Sequence, residues 1–450
     1  MNLRTQIALA LWIIVGAAAI VVFGTLPSKV SGYQDFKPYY VGALALREGI
    51  NPYEGDFGTV FTEAGRPLSN LSVWERAEPL LDTPAWLIFF EPFTLLEPAT
   101  AYWAWAAFNL LCLGAALFLL IREIGPPGAD GWTVAALMLL YPPIAINFWF
   151  AQSEVVLLLI FVLALRALGR RHDGAAGVIL AAAALLRAYP LGMLGYLVAR
   201  RNWRATVYFV AVCVIGSALA VALAGLRPVA SFVRLAAPTS GTHIGGVLAG
   251  LLRHPANLNL GSFVQLVLGY RGWAPAAGLA VELLLAGFAF AATAALEDDP
   301  YGCGFSLWLV VVTMLSPVAW PQFLVCVVPL YVGIAAANHA SNHPANHITA
   351  LPRRVLNAAG ASYVAALFMG GPLGFLSPAL ARSIAGHVHA SYVLPAEAAF
   401  ISLGCAYFAA LWMTIAGAAP RAARARVQPA RVKGGGAEGS RARLELGRDL

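Results

Sequence analysis

Residues 6–26 read "QIALALWIIVGAAAIVVFGTL", an apolar run that contains no charged side chain. About 20 consecutive apolar residues in an α-helix cross the hydrocarbon core of a bilayer, which is about 30 Å thick. Arg4 precedes the run, and no A-x-A cleavage motif follows it. The run therefore predicts a retained first membrane-spanning helix rather than a signal peptide.

The rest of the chain has the same apolar character. Of its 450 residues, 60% are hydrophobic and 11% are charged, whereas a soluble domain carries about 25% charged residues. Further apolar runs lie near 98–121, 131–149, 153–168, 174–187, 189–199, 203–225, 273–296, 303–318, 321–337, 354–370 and 392–417. The sequence predicts an all-α polytopic membrane protein with about 10–12 transmembrane helices.

The distribution of charge predicts the orientation of these helices. The net charge of +7 lies largely in short loops and near the C-terminus, which is typical of membrane orientation, so we expect no nucleic-acid partner. Lys and Arg near the span ends predict that both termini are cytoplasmic and that loop 27–97 is on the outer face. The transmembrane domain would cover 1–418, and the Arg-, Gly- and Ala-rich residues 419–450 predict a disordered basic tail. Almost all basic residues are Arg, and Ala and Gly are frequent, which is typical of a GC-rich bacterial genome. We therefore expect a multi-pass protein of the bacterial plasma (inner) membrane.

The loop after the first helix carries an acid beside an aromatic segment, "DFKPYYVGALALREGINPY" at 35–53. Apolar residues at helical spacing predict an amphipathic helix over 36–48 at the outer interface. Residues 84–96 predict a second interfacial segment, which is too short to span. Asp35 would act as the N-cap of the first helix, as a general base at a membrane-facing cleft, or as both. Two weaker acidic candidates flank the second segment, Asp82 and Glu91.

A cation at membrane depth is the second candidate for function. Arg187 lies inside "AAAALLRAYPLG" at 181–192, and the short run 174–199 predicts two half-depth helices that meet at a Pro-marked turn. A buried Arg is costly and favours an anionic partner such as a phosphate, which Arg binds bidentately. The alternatives are a structural pair with an acid or snorkelling to the interface.

Gln152 is a polar residue at the outer end of another apolar run, with Glu154 beside it. Its amide would either hydrogen-bond a sugar hydroxyl or make an ordinary contact between helices.

Several familiar kinds of chemistry lack their motifs in this sequence. It contains no P-loop, no G-x-G-x-x-G between a strand and a helix, no H-E-x-x-H and no G-x-S-x-G, so we expect no cofactor. His339, His343 and His347 are spaced four residues apart, but Pro344 interrupts the helix that would align them. We therefore expect no metal site.

The stretch 35–53 resembles the first outer loop of glycosyltransferase family 87. The family pattern is an Asp, an aromatic pair, a small-residue helix and then Gly-x-x-Pro-Tyr, which correspond here to Asp35, Tyr39, Tyr40 and 49–53. Further likenesses lie downstream in three segments, the Pro-rich segment 83–105, the Gln-bearing span and basic hairpin 150–205, and the Ser-Pro-x-x-Trp turn "LSPVAWPQF" at 315–323. The resemblance follows the family's order over roughly residues 1–337.

The resemblance implies a GT-C-like membrane enzyme that inverts the anomeric carbon of a polyprenyl-phosphate sugar. The sugar would be mannose or a pentose such as arabinose, and the acceptor an envelope glycolipid or glycan on the outer face, beside membrane lipid. Asp35 would be the catalytic base, and Arg187 would meet the donor phosphate. The remaining candidates would contact substrate: Tyr39, Tyr40, Gln152, Asn257, Trp320 and Gln322.

The chain departs from the family pattern at three positions. No His follows Trp320, position 154 is Glu where the family tends to Asn, and Asn259 replaces a Ser. These departures leave the sugar open. They also leave two alternative hypotheses, a flippase or transporter of lipid-linked sugars and a non-catalytic relative that binds them.

Overall fold

The computed structural model describes residues 3–30, 36–54, 60, 62, 80–236, 257–269, 271–299, 301–341, 353–367 and 390–418. Within these ranges the secondary structure is α-helix and short 3-10 helix, without a strand. The predicted all-α polytopic membrane protein is confirmed. The predicted tail lies outside the described residues.

The helices follow one another with short connections. Up to residue 236 they are α1 Leu3–Val30, α2 Phe36–Arg47, α3 Pro84–Phe90, α4 Pro98–Ile124, α5 Gly128–Leu139, α6 Pro142–Trp149, α7 Glu154–Gly169, α8 Asp173–Leu186, α9 Met193–Ala199, α10 Trp203–Ala224 and α11 Leu226–Ala236. After residue 256 they are α12 Leu260–Val267, α13 Ala274–Ala294, α14 Cys303–Leu315, α15 Val328–Ser341, α16 Arg353–Leu367 and α17 Ala390–Ala418. Three 3-10 helices join them, Glu91–Leu95, Tyr189–Gly192 and Pro321–Val327.

Six helical segments of the described chain are long and apolar enough to cross a membrane, or seven if the bent pair α5–α6 is one span. The six lie in α1, α4, α10, α13, residues 321–341 and α17. The roughly 10–12 spans expected from sequence also include five apolar runs that form α7, α8, α9, α14 and α16. These helices have 16, 14, 7, 13 and 15 residues and rise at most about 24 Å, so each is shorter than the hydrocarbon core.

Proline and polar caps fix where the helices begin. Proline occupies the first turn of α3, α4 and α6, where the absence of its N–H costs no intrahelical hydrogen bond. The Thr83 side chain accepts from the Trp86 amide at 3.1 Å, and Asn202 accepts from the Ala205 amide at 3.1 Å. Such caps satisfy the free amides of a helix start.

Helix α2 has nearly the predicted bounds but a different environment. Ten of its twelve residues are buried, so it does not lie on the membrane surface with one face exposed. The ring of Phe36 packs against those of Phe90 and Tyr102, at centroid distances of 5.7 and 5.5 Å. The second outer segment and the start of α4 therefore cover the face that was expected to be exposed.

The chain between 173 and 199 forms the predicted broken hairpin. Helix α8 ends at Leu186, Arg187 is extended with φ −137° and ψ 134°, and a 3-10 turn containing Pro190 leads into α9. The Ala-rich α8 packs closely on α10 because Gly177 has no side chain: a Cβ atom there would lie 2.2 Å from the Ala205 carbonyl oxygen. This contact fixes the position of α8, after which Arg187 follows, relative to α10.

The centre of the described bundle is formed by α7, α14 and residues 321–341. Phe161, Phe305, Leu309 and Leu324 have no exposed surface. Hydrophobic burial does not drive helix association inside a membrane, so close packing of such side chains stabilises the bundle.

We expect Gly177→Ala to lower the stability of the protein, because the added methyl group must push α8 away from α10. Overpacking of a tight contact costs about 1–3 kcal/mol. Thermal unfolding in detergent should show a clear fall in the transition temperature.

The matched control is Gly114→Ala in α4, where a Cβ atom meets nothing within 4 Å. It should leave the transition unchanged or raise it, because Ala is the better helix former. Equal effects of the two variants would contradict the close α8–α10 approach.

Candidate active site

Arg187 is the centre of a polar cluster at the break between α8 and α9. Its Nη1 lies 2.6 Å from Oδ1 of Asp82, and its Nε donates to the Ser153 hydroxyl at 3.0 Å. Its Nη2 donates to the hydroxyl of Tyr39. The Arg187 side chain is 15% exposed and that of Asp82 is 6% exposed, so this ion pair is largely screened from water.

Tyr39 joins this cluster to the residue predicted to bind sugar. Its hydroxyl donates to Oε1 of Gln152 at 2.8 Å. Arg187, Tyr39 and Gln152, three of the residues singled out from sequence, therefore lie in one hydrogen-bonded group. They come from the broken hairpin, the outer-loop helix α2 and the residues before α7.

Aromatic rings surround the cation and Tyr39. The Arg187 guanidinium carbon lies 5.4 Å from the ring centroids of both Tyr39 and Trp86, within the range of cation–π attraction. The Tyr39 ring also packs against Phe90 and Trp105, at 5.6 and 6.4 Å. These rings favour a positive charge and exclude water from it.

Asp82 has a larger role than its sequence context indicated. The adjacent Thr83 hydroxyl donates to the Leu185 and Leu186 carbonyls at 2.7 and 3.0 Å, and the Tyr53 hydroxyl donates to the Asp82 carbonyl at 2.7 Å. These bonds fasten the outer loop to the end of α8. Burial raises the pKa of the Asp82 carboxyl, and the Arg187 charge opposes that rise.

Tyr40 and Asn257 make backbone contacts away from Arg187. The Tyr40 hydroxyl donates to the Leu96 carbonyl at 2.9 Å. The Asn257 amide donates to the Pro317 carbonyl at 3.0 Å, and its oxygen accepts from the amides of Ala319 and Asn259 at 2.9 and 3.1 Å. Asn257 therefore holds the Ser-Pro-x-x-Trp turn in place.

The turn held by Asn257 leads to Trp320, which is half-buried, and to Gln322, which is 5% exposed. The broken hairpin packs on the segment that follows. The Tyr189 and Phe323 rings stack at 5.1 Å, and the Tyr189 hydroxyl lies 3.4 Å from Sγ of Cys326. The structure thus packs the segment containing Gln322 against the hairpin that carries Arg187.

Asp35 and two of the three spaced histidines lie outside the described residues. Asp35 lies outside the described residues, and α2 begins at the next residue, Phe36. Nδ1 of His339 lies 2.9 Å from Oδ2 of Asp130, which accounts for one of the three spaced histidines. The other two, His343 and His347, lie outside the described residues.

The model of glycosyltransferase family 87 matches residues 81–317 of this chain. The chain belongs to glycosyltransferase family 87. The matched region contains Asp82, Gln152, Arg187 and Asn257. No curated protein and no solved structure gives a significant match.

Family membership and the apolar helices together make this chain a membrane glycosyltransferase. A transferase of this kind needs a sugar donor and an acceptor. In this family 87 protein the Arg187 cluster lies where an outer-loop helix meets a broken membrane hairpin.

Asp82→Asn should destabilise this family 87 protein, because it leaves the buried guanidinium without its charge partner. Removing one partner of a buried pair costs about 3–5 kcal/mol. The double variant Asp82→Asn/Arg187→Gln should recover part of the loss, since no buried charge is left unpaired. Unfolding by sodium dodecyl sulfate in mixed micelles measures these differences.

The control is the exposed pair Glu54–Arg227, in which the arginine hydrogen bond lowers the pKa of the Glu54 carboxyl. Both of its side chains face solvent, so Glu54→Gln should produce no measurable change. If Glu54→Gln and Asp82→Asn lowered the stability by similar amounts, the expected effect of burial on the Arg187–Asp82 pair would be contradicted.

Asn257→Ala should also lower stability, by about 2 kcal/mol or more, because buried backbone groups of two segments lose their partners. Asn51→Ala is the comparison. Asn51 bonds the Tyr53 amide and the Ser231 hydroxyl at 3.1 Å each but is only half-buried, so water replaces it. Thermal unfolding should rank Asn257→Ala clearly below Asn51→Ala, and the reverse order would remove Asn257 as the support of the turn.

Proposed function

We propose that this family 87 glycosyltransferase moves a sugar from a polyprenyl-phosphate donor to an envelope glycolipid or glycan. The reaction takes place at the outer face of a bacterial plasma membrane, and the sugar is mannose or a pentose such as arabinose. The observation that carries the proposal is the buried Arg187 guanidinium, held by side chains of the outer loop at the break of a membrane hairpin.

The donor phosphate is proposed to bind Arg187 in place of Asp82. A carboxylate and a phosphate use the same fork of a guanidinium, and Asp82 occupies Nη1 at 2.6 Å. Exchange of one anion for the other keeps the cation compensated throughout. Asp82 therefore stabilises the site while no donor is bound.

The chemical step inverts the anomeric carbon. An acceptor hydroxyl oxygen forms a bond to that carbon while the bond between the carbon and the phosphate oxygen breaks. The hydroxyl proton passes to Asp35, and polyprenyl phosphate leaves with its new charge beside Arg187. A fixed cation at the developing charge lowers the barrier because it needs no reorganisation.

The remaining candidates divide into two roles in this proposal. Tyr39, Gln152, Trp320 and Gln322 contact the donor or acceptor. Tyr40 and Asn257, whose side chains bond the backbone, position the loops around them. The donor's prenyl chain stays in lipid, which explains why the cluster is built between an outer loop and membrane helices.

A flippase of lipid-linked sugars is the second candidate function. Transporters often contain broken helices, and the α5–α6 pair, bent by 47°, is a second break besides the 173–199 hairpin. The glycosyltransferase family match favours the enzyme.

The test uses the full chain in nanodiscs with radiolabelled polyprenyl-phosphate mannose, glucose, galactose and arabinofuranose and a membrane glycolipid extract. Asp35→Asn should reduce transfer by about 100-fold or more without weakening donor binding. Arg187→Lys, which keeps the charge but loses the planar fork, should weaken donor binding by about tenfold or more. The control is Glu48→Gln, an exposed acid that follows α2, which should transfer as wild type does.

Two outcomes would overturn the proposal. Donor binding without transfer by wild type, with Asp35→Asn indistinguishable from it, indicates a non-catalytic binder. Movement of donor between leaflets without transfer, measured in liposomes, indicates a flippase.

A further inference from the structure

Glu154 is a fully buried carboxylate that makes no hydrogen bond to the Arg187 cluster. It is the first residue of α7 and has no exposed surface. Neither of its carboxylate oxygens has a hydrogen-bond partner among the residues that the structure describes. A buried polar group without a partner costs free energy, so the position calls for a further function.

Asn147, on the preceding helix α6, is in the same condition and lies beside it. Its Oδ1 accepts from the Glu154 amide at 3.1 Å, which fixes the orientation of the side chain. Its Nδ2 has no partner in the described part of the chain, and the residue has no exposed surface. The Asn147 amide nitrogen is thus a donor without a partner among the described residues, and the Glu154 carboxylate is an acceptor without one. The hydrogen bond from the Glu154 backbone amide to Asn147 joins the two residues.

The chain links these two residues to the proposed phosphate position. Ser153, the residue before Glu154, accepts from Nε of Arg187 at 3.0 Å, and Gln152 accepts from Tyr39. The close ion pair of Arg187 is with Asp82. The Glu154 carboxylate also interacts electrostatically with Arg187, but this interaction supplies no hydrogen bond to either of its oxygens.

We propose that Glu154 and Asn147 form a subsite for hydroxyl groups of the donor sugar, an inference that rests on the proposed function. A sugar hydroxyl both donates and accepts hydrogen bonds. It can donate to the Glu154 carboxylate and accept from the Asn147 amide, while the phosphate on the same sugar binds Arg187. The subsite then selects the sugar by its hydroxyl pattern, because a site built for a hydroxyl rejects a sugar that lacks it.

A carboxylate recognises a hydroxyl differently from a neutral side chain. Hydrogen bonds to a charged acceptor are about twice as strong as neutral ones. The start of α7 also favours negative charge at this position. Glu at 154 therefore predicts stronger discrimination between sugars than an amide side chain would give.

The experiment compares the binding of two probes to the full chain in nanodiscs, polyprenyl phosphate and its glycosylated forms from the same panel. Glu154→Gln should weaken binding of the preferred glycosylated lipid by about tenfold or more, and it should not weaken binding of polyprenyl phosphate, because the loss of a nearby negative charge does not disfavour an anion. Deoxy analogues of the preferred sugar, tested on wild type and on Glu154→Gln, should identify one hydroxyl whose removal abolishes the difference between them.

Ser306→Ala is the matched control. Ser306 is 1% exposed, and its hydroxyl also lacks a partner among the described residues, but it lies on α14. Its replacement should leave the affinity for both probes unchanged. Glu154→Gln should unfold at or above the wild-type temperature, because Arg187 keeps its ion pair with Asp82 and the variant removes a buried carboxylate that has no hydrogen bond, whereas a purely structural carboxylate would make it unfold earlier.

The outcomes separate this inference from the proposed function. If wild type binds neither probe, the sugar subsite and the proposed function are both overturned. If wild type binds both probes and Glu154→Gln weakens both equally or neither, the subsite is overturned and the lipid-phosphate site stands. If Glu154→Gln abolishes transfer with unchanged donor affinity, sugar recognition is overturned. The deoxy series on wild type tests the subsite even if the variant does not fold. If removal of each single hydroxyl in turn leaves binding of the sugar lipid unchanged, the subsite is overturned.

Discussion

The contact between α2, the segment around Asp82 and the broken hairpin depends on the compensation of one buried cation. An isolated Arg at the end of α8 would be costly, and its charge partner Asp82 comes from a segment about 100 residues earlier in the chain. The same guanidinium also holds Tyr39 and Ser153. The residues around Asp82 and Tyr39 and the broken hairpin therefore stabilise each other.

The rest of the described bundle serves to keep that contact in place. Gly177 brings α8 against α10, and the Thr83 hydroxyl ties the loop to the last carbonyls of α8. After the break in the hairpin, Tyr189 stacks on Phe323. Each link is local and short, so the position of Arg187 is set by several independent contacts. Such redundancy is what a preorganised electrostatic site requires.

The sequence was informative where a residue conflicts with its surroundings. Arg187 was found because it is a charge among Ala and Leu, and the hairpin break because Pro190 ends a helix. The sequence gives Asp82 only a weak indication of function, because it is one of several acids in a polar loop. Its ion pair with Arg187 distinguishes it from the others. The burial of α2 was missed because an apolar face predicts contact with something, lipid or protein, and periodicity does not say which. The proposed roles of Asp35 and the other site residues stay predictions.

The pair Asp82–Arg187 also has a consequence for the end of the proposed reaction. The donor is a phosphodiester with one negative charge, whereas the leaving polyprenyl phosphate is a monoester with a charge of about −1.5 to −2 at pH 7. Arg187 alone would therefore hold the product more strongly than the donor, which favours bond cleavage but slows release. The Tyr53 hydroxyl holds the Asp82 backbone carbonyl and the Thr83 hydroxyl holds the Leu185 carbonyl, so the backbone that carries the Asp82 carboxylate stays near the guanidinium when the phosphate takes its place. The return of the Asp82 carboxylate to Nη1 compensates the cation as polyprenyl phosphate leaves. The contact that stabilises the site without a donor therefore also makes product release less unfavourable.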